Sequence, residues 1–287
     1  MPTGTSRGVL AMAVAVASFA FLDAALKVIA DSYPPLQVSA IRGFASLPFI
    51  VIPLLFAGRQ RELRPASPGL HLLRGALGVL MMVTFVYALR EQSLAEVYAI
   101  YMIAPLLVVA LAAWLLKERV DLGRWLAVLT GLLGVLWILQ PSAGRLQLVA
   151  GLATLISALA WALTAVMARH LTRTDPPASI SFSFLLLIGV IAGLLAWPDW
   201  IAIRAQDWLW IIAIGGLGAL AQIAIIDAFR HAPASTVAPI EYTGLLWGIG
   251  IDRIFWGFVP GANVIIGASF VIGAGLYVAW RERLTTR

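Results

Sequence analysis

Apolar residues run along this chain in long stretches separated by short polar clusters, with neither the two-residue nor the 3.6-residue alternation of half-exposed elements. About 20 apolar residues cross the hydrocarbon core of a bilayer. Ten stretches reach roughly that length, at 8–30, 34–57, 70–90, 93–116, 122–140, 147–169, 178–197, 207–229, 233–256 and 261–280. The breaks carry turn chemistry. Pro34-Pro35, Pro176-Pro177 and Pro233 end loops or start helices, and residues 58–69 form an arginine-bearing loop. Pro141 to Gly144 reads as a turn dividing the chain into halves 1–144 and 145–287. Asp23 and Lys27 interrupt the first stretch, which reads as a retained helix rather than a leader. Lipid forbids irregular backbone at its surface, so each stretch is predicted to be helical.

The same text is written twice, about 140 residues apart. RGALG around Gly75 answers to IGGLG around Gly215, and Ala88-Leu89-Arg90 to Ala228-Phe229-Arg230. Residues 93–118 align without gaps on 233–258, and 18–30 on 157–169. Five crossings per half would insert the second copy upside down. The predicted fold is therefore an all-α membrane protein of ten transmembrane helices in two inverted five-helix repeats. That is the plan of a secondary transporter, whose substrate sits between the halves.

Composition narrows the reading. The 287 residues are 61% hydrophobic and 12% charged, with a mean hydropathy of +0.94. Soluble domains carry about 25% charge, so a bilayer is the solvent that suits this chain. With no cysteine, thiolate chemistry and Cys-ligated metals are excluded. The net charge of +6 sits in short loops, so it signals topology rather than nucleic acid. With the N-terminus in the cytoplasm, fourteen Lys and Arg residues, Arg7 and Arg74 among them, fall inside and four outside. Both termini are then cytoplasmic. Trp197, Trp200, Trp208 and Trp210 flank one outer loop as an interfacial belt.

Candidate chemistry lies with ionisable residues inside the spans: Asp23, Lys27, Arg42, Asp227 and Glu241. Each costs roughly 2.5–3.5 kcal/mol at a helix centre and must pair, snorkel or line a wet cavity. Asp23 and Lys27 share one face and either neutralise each other or face a substrate. Arg42 is expected to snorkel or bind a carbonyl, and Asp227 to pair with Arg230. Glu241 has no basic neighbour within a turn and is the sharpest site candidate. Tyr101 occupies the matching position of the first half, on one face with Tyr98 and Pro105. Trp161 matches Leu22, beside Asp23, while Gln222 and Tyr242 add polar points. Gly75, Gly78, Gly215, Gly218, Gly244 and Gly248 read as helix-packing positions. No metalloprotease, nucleophile-elbow, P-loop or dinucleotide motif occurs, so neither catalysis nor ATP-driven pumping by this chain is predicted.

These segments resemble the ten-helix drug/metabolite transporter superfamily, the EamA-type permeases. The resemblance is carried by RGALG at 74–78, YALREQSLAEVYAIYMIAPLL at 87–107 and LLKERVDLGRWLAVLTGLLGVL at 115–136. It continues through HAPASTVAPIEYTGLLWG at 231–248 and VPGANVIIGASFVIGAGLYVAWRE at 259–282. It implies a central cavity lined by spans one, three, four, six, eight and nine, with Asp23, Lys27, Tyr98, Tyr101, Trp161, Gln222, Glu241 and Tyr242 as substrate-binding candidates. It also implies a multi-pass protein of the bacterial inner membrane, monomeric or homodimeric, with a small-molecule substrate and no cofactor. The expected cargo is an amino acid or close derivative, exported. The alternative is a larger metabolite such as S-adenosylmethionine or riboflavin. One departure is Phe258, where the family often has Glu after Gly at the end of the ninth span.

Overall fold

The structure, a computed structural model, describes residues 3–115, 122–139, 145–232, 237 and 240–285. The first half comprises α1 (Thr3–Ala30), α2 (Pro35–Phe56), α3 (Pro68–Glu91), α4 (Leu94–Tyr101), α5 (Ala104–Leu115) and α6 (Leu122–Leu139). The second comprises α7 (Arg145–Leu171), α8 (Pro177–Ala196), α9 (Trp208–His231), α10 (Gly244–Ile251) and α11 (Ala262–Thr285). Nine segments among the described residues are long and apolar enough to cross a bilayer, which makes this an all-α, multi-pass membrane protein. Much of the expected 233–256 span, and the Pro141–Gly144 turn, lie outside the described residues.

Proline begins α2, α3 and α8, where its missing N–H would be unpaired in any case. Gly257, at φ +67°, ends the stretch after α10 in a left-handed turn that a residue with a side chain rarely adopts. The four tryptophans expected as a belt differ: Trp197, Trp200 and Trp208 are exposed, whereas Trp210 packs on the core.

The spans pair across the halves. α1 packs chiefly on α9 and α3 on α7, while α2 pairs with α8 and α6 with α11. The last two crossings are glycine-to-glycine. A Cβ on Gly43 would lie 2.5 Å from the Gly189 nitrogen, and one on Gly134 would lie 2.6 Å from the Gly267 carbonyl oxygen. Main chain therefore meets main chain, the contact that drives helix association where lipid removes the hydrophobic effect. Gly75 and Gly215 serve similarly, against Leu187 and Ala45.

Two basic residues read as topology signals are structural. Arg74 is buried, donating to the carbonyls of Thr164 (3.2 Å) and Ile180 (2.9 Å). Arg7 clamps Asp227 with two 3.0 Å bonds, so Asp227 reaches across to α1 as its main partner rather than along its own helix to Arg230. At the same end, Asp175 gathers the Ala66 amide (2.6 Å), the Thr174 hydroxyl (2.7 Å) and His71 Nε2 (3.1 Å). Burial alone pushes this carboxyl up, but the bonds from Thr174, Ala66 and His71 outweigh it, so Asp175 titrates below the usual carboxylate range.

Two outcomes follow. Gly43→Leu should destabilise the α2–α8 crossing by about 1–3 kcal/mol or more through overpacking, read as a lower thermal midpoint in detergent. A carboxyl depressed on folding stabilises above its unfolded pKa near 4, and that contribution is lost as pH falls through the folded value. The thermal midpoint should therefore fall in acid below about pH 4, and Asp175→Asn should lower the neutral-pH midpoint and blunt that acid dependence.

Candidate functional site

The fourth span, expected as one helix, is broken. Pro105 offers no N–H to the Tyr101 carbonyl, and the chain turns at Met102-Ile103 between α4 and α5. The second half breaks at the matching place: Glu241 ends a helical turn, Tyr242-Thr243 form a turn, and α10 starts at Gly244. Tight bonds replace the regular ladder at both, from the Ile103 amide to Ile100 (3.2 Å) and from the Thr243 amide to Ile240 (2.9 Å). Irregular backbone at membrane depth is tolerated where it is buried or lines a cavity.

Here it lines one. A cavity of about 470 Å³ lies between the halves, bordered by both breaks and by α1, α2, α3, α7, α8 and α9. That volume is within the range that holds a drug-sized ligand. α2 and α8, absent from the sequence expectation, contribute Arg42, Ser46 and Phe184. Asp23, Tyr98, Tyr101, Trp161, Gln222, Glu241 and Tyr242 all reach the lining as expected. Tyr98 Oη donates to Asp23 at 2.7 Å. Tyr101 stands edge-on to Phe85 (centroids 5.4 Å) and to Trp161 (6.4 Å), which makes an aromatic wall. Tyr242 turns its hydroxyl against Gly275 of α11, leaving its ring as the contact. Glu241 and Gln222 make no protein hydrogen bond among the described residues.

Lys27 is not brought to the cavity and does not pair with Asp23. Its ammonium donates to the carbonyls of Leu89 (2.7 Å) and Gln92 and lies 5.5 Å from the Trp256 ring. These carbonyls end α3, where a helix carries partial negative charge. Asp252, fully buried in the π-turn Asp252–Trp256, answers at the next helix: its carboxylate accepts from the amides of Leu94 (3.1 Å) and Ala95 (2.8 Å), the positive start of α4. Ser93 and Glu96 complete a capping box. Thr154 of α7 adds a 3.3 Å bond to the Gln92 side chain. This α3–α4 corner is therefore tied to α1, α7 and the stretch after α10. Asp252 was missed because it sits near the edge of an apolar run, where a solvated carboxylate is ordinary. The Lys117-Glu118 helix end falls outside the described residues.

A helical bundle enclosing a largely apolar cavity with a few polar side chains, between two broken helices, is the layout of a membrane carrier. The EamA-like transporter family matches the chain twice, over residues 6–140 and 148–280, and the chain belongs to it. A riboflavin transporter of Vibrio cholerae is 30% identical over 286 residues, covering 98% of this chain and 96% of its own. The pseudopaline exporter CntI of Pseudomonas aeruginosa is 28% identical, covering 93% and 94%. A solved crystal structure superposes with a TM-score of 0.66 at 18% identity over 99% of both chains, a likeness of fold.

Removing the Tyr98 hydroxyl leaves Asp23 without its bond. Tyr98→Phe should cost about 1–3 kcal/mol in reversible unfolding in mixed micelles. In a double-mutant cycle with Asp23→Asn the two changes should be non-additive.

Proposed function

We propose that this protein is a secondary transporter of the bacterial inner membrane that moves a ring-bearing organic metabolite by alternating access. Two inverted five-helix halves, 1–144 and 145–287, would rearrange around the cavity, with both termini cytoplasmic and no covalent step. The single observation that carries this reading is Glu241, a carboxylate without a protein partner among the described residues, at a helix break and facing an aromatic-walled cavity between the halves. A lone intramembrane carboxylate is costly unless a ligand cation or proton answers it.

In this reading Tyr98, Tyr101 and Trp161 receive the ring, and Glu241 and Asp23 take the cationic or proton-bearing part. Aromatic amino acids and their close derivatives, moved outward, have both features. Uptake or exchange of a larger ring system is the second reading. It is favoured by the 470 Å³ volume and by likeness to a riboflavin transporter across nearly the whole chain.

The test is counterflow in liposomes reconstituted with purified protein, using labelled aromatic amino acids and riboflavin. Glu241→Gln and Trp161→Ala should each lower saturable flux about tenfold or more, the loss of one charge-assisted or stacking contact. Unchanged flux in both variants would remove these two residues from the transport site.

A further inference from the structure

Arg42 enters the membrane two turns into α2, and the sequence offers it only a snorkelling or capping role. The structure gives it neither. Its side chain lines the cavity, and among the described residues its one hydrogen bond is from Nη1 to the Ser46 hydroxyl at 2.7 Å. Ser46 in turn donates to the Arg42 carbonyl at 3.1 Å, which fixes the hydroxyl that the guanidinium leans on. A guanidinium carries five N–H donors in a rigid fork. Among the described residues no carboxylate forms a salt bridge with it; Asp23, the charge that acts on it through space, is bonded to Tyr98 instead. Most of that fork is left facing the cavity.

Two neighbours shape the same spot. Gly218 of α9 has no side chain where Arg42 lies: a Cβ there would stand 2.7 Å from Nη1. One turn further along the same face, Gln222 presents a side-chain amide with no protein partner among the described residues. Arg74, the other cavity arginine, differs in kind. Two of its nitrogens are on carbonyls and its face covers the Phe184 ring at 4.1 Å, so it is held as a wall. A desolvated cation with open donors calls for an acceptor-rich ligand, and the planar fork suits a carboxylate or phosphate.

We propose that Arg42, seated in the notch left by Gly218 and assisted by Gln222, binds an anionic group of the transported solute, so that the cargo bears a carboxylate or a phosphate. This rests on reading the cavity as the transport site. With Glu241 and Asp23 on the same lining, a cargo that also bears a cation would be held at both poles.

Matched pairs test it: L-tryptophan with tryptamine for the carboxylate, and flavin mononucleotide with riboflavin for the phosphate. Binding is read by isothermal titration calorimetry and thermal shift on the purified full-length protein in detergent. At least one anionic member should bind about tenfold to hundredfold more tightly than its partner, the increment of a charge-assisted pair. The preference should vanish in Arg42→Gln and persist in part in Arg42→Lys. In Gly218→Ala it should weaken several-fold, because the guanidinium is displaced but not removed. That last variant keeps the test decisive if Arg42→Gln fails to fold. Equal binding within every pair, no binding by either anionic member, or a preference that survives both Arg42→Gln and Gly218→Ala would each overturn the proposal. Saturable counterflow of riboflavin or tryptamine without anion preference would overturn it while leaving the carrier reading intact. Absence of saturable counterflow for all four compounds would overturn the carrier reading as well.

Discussion

A bilayer offers no water to an unpaired polar group, and the rest of this structure depends on that constraint. Helix follows from it, because each backbone N–H and C=O must find a partner within its own segment. Where the helix stops, the protein supplies the missing partners itself. Asp252 takes the first amides of α4 and Lys27 the last carbonyls of α3. At Glu241, Gln222 and most of Arg42 no protein group answers among the described residues, and all three line the cavity.

The breaks in the fourth and ninth spans put that logic at the centre of the molecule. Both fall at the same position of the repeat, one at Tyr101 and the other at Glu241. In the first, Pro105 withholds the N–H that would bond the Tyr101 carbonyl; in the second, Leu245 stands where Pro105 does, and the turn at Tyr242-Thr243 forms without a proline at that position. The two halves thus bring different chemistry to equivalent points: a phenol within an aromatic wall, and a carboxylate.

How much of this was legible in the sequence can be argued residue by residue. The placement of the nine described spans was legible in the sequence, because apolar length is set by membrane thickness and needs no knowledge of packing. Seven of eight site candidates reached the lining, because repeat alignment placed Tyr101 opposite Glu241 and mid-helix polarity is rare in lipid. Lys27 did not, because a spacing of four says that it and Asp23 share a face but not that Leu89 and Gln92, sixty residues away, end a helix beside it. Asp227 turned to Arg7 for the same reason: a partner on another helix is invisible to local spacing. Arg74 looked like a loop charge because its burial depends on carbonyls at Thr164 and Ile180 that only the folded bundle brings near. The places of Arg42 and Gly218 depend on how α2 meets α9, which a single sequence does not disclose.

The corner between α3 and α4 is tied from three directions, and two of its three anchors grip main-chain atoms: Lys27 holds carbonyls and Asp252 holds amides. Those two grips depend on the backbone of the corner rather than on the side chains it displays, while the Thr154 bond and the Ser93-Glu96 box do read its side chains; all of them converge on a few consecutive residues. Letting go there would be an abrupt event, with a threshold, rather than a gradual yielding.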